Sequence, residues 1–168
     1  MEYRGQGAIK HEIEVVKAGI AAAGADVDDC FFPILGPGWL GHFLWNEFYT
    51  TEEEYVYAMA DFFKGDYEAV VDAGFILQID DPGLCDKFGL FDPPISVEEF
   101  RKHAQLRIEA TNYALSNIPE DKVRYHTCWA SWHRSEERRV GNECISRWSP
   151  YHLNKQRTTT PPTVCYLH

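Results

Sequence analysis

The sequence predicts an α/β fold in which about three parallel strands are flanked by helices. Helical and strand patterns alternate along the chain, which is the order expected of right-handed βαβ crossovers. The predicted strands are short and continuously apolar, as strands buried within a parallel sheet are. The composition, 45% hydrophobic and 14% aromatic over 168 residues, supports one packed domain rather than a disordered chain.

The beginning of the chain predicts one helix and one strand. Apolar residues recur at spacings of three and four from about residue 9 to residue 23, and Gly24 ends this helix. Residues 30–35 form a short apolar run, which we expect to be a buried strand. Gly36-Pro37-Gly38 follows this run and is interpreted as a turn.

The middle of the chain predicts a second helix and a second strand. Thr50 and Glu53 have the spacing of a capping box, and Gly74 ends the helix that they begin. The residues 75–79 that follow are expected to form a parallel strand buried on both faces. The apolar positions of the helix are Tyr55, Met59, Phe62, Ala69 and Ala73.

A third helix and a third strand complete the predicted pattern. Ser96 and Glu99 repeat the capping-box spacing, and Pro119 closes the helix. We expect His103, within this helix, to face solvent. Residues 123–128 predict the third strand.

Polar side chains directly follow two of the predicted strands. Asp80 and Asp81 come after the second strand, and His126 and Cys128 end the third. Because parallel strands present their carboxyl ends at one edge, a site is expected there. His126 and Cys128 alternate along a strand, so both can reach one metal ion. Two plainer interpretations stay open. Asp80 and Asp81 can cap the turn that follows them, since Asp before Pro often does so. Cys128 can be a buried cysteine beside a structurally hydrogen-bonded His126.

Composition argues against several classes of function. The formal net charge of −10 and the pI of about 5.1 disfavour nucleic-acid binding, which needs clustered Lys and Arg. No apolar stretch approaches the length of a membrane span, and no hydrophobic signal core follows the N-terminus. The five cysteines form no CxxC pair, which is typical of free thiols. We therefore expect a cytoplasmic protein without a membrane or nucleic-acid partner.

The strand-end motifs also resemble those of a known family. No glycine-rich phosphate loop follows any predicted strand, which favours a barrel section over a nucleotide-binding fold. The segments 47–49, 72–82 and 126–129 resemble the C-terminal catalytic barrel of cobalamin-independent methionine synthase. The likeness covers most of residues 5–133 and is greatest to the shorter bacterial relatives, which include coenzyme M transferases.

This resemblance implies a partial (β/α)8 TIM barrel and a zinc-dependent methyl transfer. In that family zinc binds a thiol such as homocysteine, and a folate of the methyltetrahydrofolate type donates the methyl group. The resemblance makes His126 and Cys128 zinc ligands, and it makes Asp80 a contact for the amino group of the thiol substrate. Asp81 is assigned to substrate binding beside Asp80, although the classical synthase has Glu there. A catalytic zinc takes about three protein ligands, so His126 and Cys128 are an incomplete set.

The end of the chain differs in character from the rest. Residues 1–133 contain 10 Lys or Arg and 23 Asp or Glu, whereas residues 134–168 contain 6 and 3. The latter segment has no sustained helical or strand period and resembles translated read-through sequence. We expect an irregular tail that is not native to the fold, and an inactive fragment of a larger enzyme.

Two other functions remain open from the residues alone. One is a metal-free barrel lyase or decarboxylase that uses Asp80 and Asp81 as acid and base. The other is a non-enzymatic α/β subdomain whose open strand edges need a partner.

Overall fold

The chain forms an α/β fold with a three-stranded parallel sheet and flanking helices, as the alternating pattern predicts. A computed structural model describes residues 4–127, apart from the side chains of His42, Cys85 and Asp86. Cys128 and the segment 134–168 therefore lie outside the described residues, as does the expected boundary at residue 133. In chain order the helices and strands are α1 Gln6–Ala22, β1 Phe31–Leu35, α2 Pro37–Phe43, α3 Glu52–Asp72, β2 Ile76–Asp80, α4 Gly83–Asp86, α5 Val97–Ala114 and β3 Val123–His126.

The three strands are parallel and lie in the order β1-β2-β3. Leu35 pairs with Asp80, and Asp80 pairs with His126, so all three strands end level with one another. The carboxyl ends of the strands therefore form one edge of the sheet, where Asp80 and His126, the last residues of β2 and β3, are neighbours.

Helices α3 and α5 build the main core on one side of the sheet. Met59 and Ala60 of α3 are fully buried, as are Ala110 and Ala114 of α5, so small side chains allow close helix packing. The sheet contributes Phe32, Leu77, Ile79 and Val123 to this core. Phe63, rather than the predicted Phe62, is the buried residue at its turn of α3, while Phe62 is only partly buried.

Helix α3 begins one residue later than the capping pattern predicts. The Thr51 hydroxyl accepts a hydrogen bond from the Glu54 amide, and Glu54 accepts from the Thr51 amide, which completes the capping box. The segment 50–54 contains the same spacing twice, because Thr50 and Glu53 repeat it. The expected Ser96 and Glu99 box at the start of α5 is confirmed.

The segment 36–38 begins a helix instead of forming only a turn. Gly36 is the N-cap of α2, and Pro37 occupies the first helical position, where its missing N–H removes no helical hydrogen bond. Gly38 lies against α5, since a Cβ built there would come within 2.7 Å of the Arg107 Cγ. The glycine is therefore required by the close approach of α2 to the Arg107 side chain.

The contrast between Gly38 and Gly65 gives a test of this packing. A Cβ at Gly65, in the interior of α3, would meet nothing within 4 Å. We expect Gly38→Ala to lower the free energy of unfolding by roughly 1–2 kcal/mol, because overpacking outweighs the gain in helix propensity. Gly65→Ala should raise it by up to about 1 kcal/mol. Urea unfolding measures both changes, and equal stabilisation by the two substitutions would contradict the predicted contact.

Candidate functional site

The expected meeting of polar groups at the carboxyl edge of the sheet is found between Asp80 and His126. The His126 Nδ1 lies 2.9 Å from the Asp80 Oδ1. An ionised carboxylate only accepts hydrogen bonds, so an imidazole that turns an Nδ1 proton toward it leaves the Nε2 lone pair for a ligand. The His126 side chain is 53% exposed, so Nε2 belongs to an accessible group. The pair can therefore present an oriented imidazole nitrogen to a ligand.

The Asp80 carboxylate is also held by a chain of side chains across the strands. Gln78 donates from Nε2 to the Asp80 Oδ1 over 2.8 Å, and Arg124 donates from Nε to the Gln78 Oε1 over 2.6 Å. The Arg124 guanidinium in turn stacks 3.5 Å above the Phe31 ring centroid. Gln78 is only 8% exposed, so these bonds satisfy both ends of a buried amide.

This chain of contacts has a partial signal in the sequence. Gln78 and Asp80 alternate along β2, while Arg124 and His126 alternate along β3. The register pairs Gln78 with Arg124 and Asp80 with His126, which places the four side chains on one face. The alternation of polar residues along each strand is visible in the sequence. Which residue of β2 lies beside which residue of β3 is decided only by the register of the strands.

Asp81 lies on the other side of the sheet from Asp80. Its carboxylate accepts a hydrogen bond from the Tyr125 hydroxyl at 2.7 Å. Its relative exposure is 1%, and a Cβ built at Gly36 would lie 3.0 Å from the Asp81 Cβ. Burial raises the pKa of Asp81 above its ordinary value, against the lowering effects of the Tyr125 bond and the Arg107 charge. The structure therefore does not bring Asp80 and Asp81 together around one ligand.

Sequence reasoning also missed a charged cluster that joins α3 to α5. Arg107 donates from Nη2 to the Glu52 Oε1 over 2.6 Å and from Nη1 to the His103 carbonyl over 3.0 Å. His103, expected to face solvent, has a mostly buried side chain whose Nδ1 lies 3.4 Å from the Glu52 Oε1. In the described part of the chain, the Arg107 Nε and the His103 Nε2 are buried without a hydrogen-bond partner.

The electrostatics of this cluster follow from burial beside a carboxylate. The hydrogen bond from His103, together with that from Arg107, lowers the pKa of Glu52 to about 2 against the opposing effect of burial. Burial lowers the pKa of His103 and brings the pKa of Lys87 to about 8. The Glu52 carboxylate thus stabilises the buried Arg107 guanidinium, with a smaller contribution from the Asp81 charge.

Of the two predicted metal ligands, the structure describes only His126. His126 lies at the carboxyl edge of the sheet, whereas Cys128 lies outside the described residues. Among residues 4–127, no group of three or more His, Cys, Asp and Glu side chains is placed to hold a metal ion. The same residues contain no helix with the length and apolar character needed to cross a bilayer.

Comparison with known proteins adds no relative. A scan against protein-family models finds no match, and neither curated proteins nor solved structures match the chain.

The charged cluster generates a prediction about stability and pH. Glu52→Gln should lower the free energy of unfolding at pH 7 by about 1–3 kcal/mol, because it leaves the buried Arg107 charge without its carboxylate. The cost is below that of a fully buried pair because the Glu52 side chain is 55% exposed. The neighbouring Glu53→Gln, an exposed substitution in the same turn, should change stability by under about 0.5 kcal/mol.

The pH dependence has a defined direction. The folded pKa of Glu52 is depressed, so its stabilisation is complete above the ordinary value of 4.5 and is lost as pH falls toward about 2. In this window the wild type should lose stability more steeply than Glu52→Gln, which has no carboxyl to protonate. Urea unfolding at several pH values measures the slopes, and parallel slopes would contradict the ion pair.

Proposed function

We propose that this chain is part of a zinc-dependent methyltransferase that moves a methyl group from a folate donor to a thiol such as homocysteine. The observation that supports it most is the 2.9 Å approach of the His126 Nδ1 to the Asp80 carboxylate at the carboxyl edge of the sheet. A metal-binding histidine commonly donates its other ring N–H to a carboxylate, which fixes the tautomer and the ring orientation. The His126 Nδ1 lies 2.9 Å from the Asp80 Oδ1, which suits this arrangement and leaves Nε2 for a metal.

The residue types of His126 and Cys128 fit part of a zinc site. His126 Nε2 and the Cys128 thiolate would hold the ion, and a nitrogen and a sulfur ligand suit zinc. When bound, zinc supplies a thiolate from the substrate thiol at neutral pH. Asp80 orients His126 through Oδ1, and its second oxygen can accept from the substrate ammonium. Gln78 and Arg124 hold the Asp80 carboxylate in that position.

The placement of these residues also supports a partial (β/α)8 barrel. In such a barrel, strand side chains alternate between the interior and the surrounding helix layer. Leu77 and Ile79 lie in the core with α3 and α5, so Gln78 and Asp80 take the alternate side, which corresponds to a barrel interior. The proposed partners are a small-molecule thiol and a folate in the cytoplasm. The acidic composition supports the proposal that nucleic acid is not a partner.

The contacts favour this proposal over the metal-free lyase or decarboxylase. That alternative needs Asp80 and Asp81 to act on one substrate as acid and base. Asp81 is instead buried beside Tyr125, on the opposite side from Asp80. The non-enzymatic subdomain is the interpretation that would replace the proposal if zinc failed to bind.

Zinc binding is the first test of the proposal. We expect the 168-residue chain to bind zinc weakly but saturably at neutral pH, because two protein ligands make an incomplete set. His126→Asn and Cys128→Ser should each abolish this binding. His11→Asn, at an exposed position of α1, and Cys30→Ser are matched controls that should retain it. Competition with a chromophoric chelator measures the affinity.

Two results would contradict the ligand assignment. One is unchanged zinc affinity in His126→Asn or Cys128→Ser, and the other is an equal loss in His11→Asn or Cys30→Ser. Circular dichroism of each variant distinguishes a lost ligand from a lost fold.

Asp80 provides a second test that separates its two roles. Asp80→Asn keeps an oxygen that accepts from His126 but removes the negative charge that attracts an ammonium. We therefore expect it to keep zinc and to lose the preference for homocysteine over 4-mercaptobutyrate, which lacks the amino group. Asp80→Ala removes both groups and should weaken zinc binding by about tenfold or more.

Calorimetric titration of the zinc-loaded chain with each thiol measures this preference. Retention of the preference in Asp80→Asn would contradict the ammonium contact. Unchanged zinc affinity in Asp80→Ala would contradict the orienting role.

A further inference from the structure

An open groove runs along the first half of α3. It has a volume of about 700 Å³, which is within the usual size of small-molecule sites. Neither Asp80, Asp81 nor His126 contributes to it. The residues that line this groove, called the α3 groove below, are Phe48, Tyr49, Thr50, Glu54, Tyr57, Ala58, Asp61 and Phe62.

One wall of the α3 groove consists of Phe48 and Tyr49, two neighbouring aromatic residues of the loop before α3. Phe48 is 81% exposed, and its ring meets that of Tyr49 edge to face at 5.1 Å between centroids. Tyr49 also lies 6.0 Å from the Tyr55 ring, which is buried and donates its hydroxyl to the Leu44 carbonyl. An aromatic side chain held at this exposure gains little from folding and is available for a ligand.

The backbone of this wall is fixed by a single asparagine. The Asn46 Oδ1 accepts from the amides of Phe48 at 3.2 Å and Tyr49 at 2.9 Å, and its Nδ2 donates to the Tyr49 carbonyl at 3.0 Å. The Glu54 carboxylate fixes the next residues by accepting from the amides of Thr50 and Thr51. The loop is therefore ordered before any ligand binds, which lowers the entropic cost of binding.

The other wall combines an aromatic side chain with a carboxylate. Tyr57 packs edge to face on Tyr113 of α5 at 5.5 Å, and Tyr113 donates its hydroxyl to the Asp61 Oδ1 at 2.7 Å. Lys64 places its Nζ 4.8 Å above the same Tyr113 ring. The Lys64 ammonium thus already occupies the face of the Tyr113 ring next to the groove.

The charge of the groove is negative. Glu54 and Asp61 line it. Among the described residues, Glu54 accepts hydrogen bonds through Oε2 and Asp61 accepts one through Oδ1, which leaves a second oxygen on each carboxylate for a ligand. The pKa of Tyr57 is raised by burial and by the nearby charges of Glu109 and Glu53. Aromatic faces and carboxylates together attract an organic cation and disfavour an anion.

We propose that the α3 groove binds a small organic cation with an alkylated ammonium group. The aromatic side chains Phe48, Tyr49, Tyr57 and Phe62 supply faces for the apolar substituents, and Glu54 and Asp61 balance the charge. This site goes beyond the proposed methyl transfer and shares no residue with it, so either proposal can fail alone.

The test compares two probes that differ in charge. Choline carries a trimethylammonium group, whereas 3,3-dimethylbutan-1-ol has a neutral tert-butyl group of the same shape. We expect the full chain to bind choline about threefold to tenfold more tightly than the neutral alcohol, because cation–π and carboxylate attraction need the charge. Chemical-shift titration of the aromatic protons measures both affinities and reports the rings involved.

Matched variants locate the binding site. Phe48→Ala should weaken choline binding by about threefold to tenfold, whereas Phe43→Ala, at another exposed aromatic position outside the groove, should leave it unchanged. Asp61→Asn should reduce the advantage of choline over the alcohol and leave the affinity for the alcohol unchanged. Urea unfolding of each variant confirms that the fold is retained.

Several outcomes would overturn this assignment. Equal affinity for choline and the neutral alcohol, absence of saturable choline binding, or equal effects of Phe48→Ala and Phe43→Ala would each do so. Choline-independent self-association abolished by Phe48→Ala would assign the groove to a second copy of the chain. A lysine-rich peptide that binds more tightly than choline and is lost in the same variants would assign it to a protein partner.

Discussion

The parallel register of β2 and β3, together with the alternation of side chains along each strand, determines most of the chemistry of this molecule. Asp80 pairs with His126 at the end of the sheet, and Gln78 pairs with Arg124 two residues earlier. These side chains share one face, while Leu77, Ile79 and Tyr125 point to the helices. A shift of one residue in β3 would place Tyr125 beside Asp80 and turn His126 toward the apolar core.

The same alternation explains why two adjacent aspartates differ so strongly. Asp80 remains partly accessible, with the His126 Nδ1 at 2.9 Å and a hydrogen bond from the Gln78 amide on the open face. Asp81 points toward the helices, where burial raises its pKa and the Tyr125 hydroxyl compensates in part. One residue of separation therefore divides a group suited to bind ligands from a group that supports the fold.

Buried charge imposes a second set of requirements on the helices. Arg107 needs Glu52 as a counter-charge, and its aliphatic stem needs a glycine at position 38 of α2. The start of α3 thereby becomes tied to α5 and α2, and the loop before α3 is held by Asn46 and by the capping box. The α3 groove lies on this anchored segment, so its aromatic wall is a consequence of the same packing.

The sequence by itself determined the class of the fold and placed each strand to within about two residues, because apolar runs and capping residues act through neighbours along the chain. The alternation predicted three parallel strands, and Ser96 with Glu99 predicted the start of α5 correctly. Asp80 and His126 were found because they directly follow apolar runs. The local pattern did not distinguish Thr50 from Thr51 as the N-cap of α3, since both have the required spacing to a glutamate.

Only the tertiary structure decided that His103 and Arg107 are buried against Glu52, that Asp81 faces the core, and that Phe48 is exposed beside α3. These features depend on contacts between residues far apart in the chain, and such contacts follow from packing rather than from local propensity.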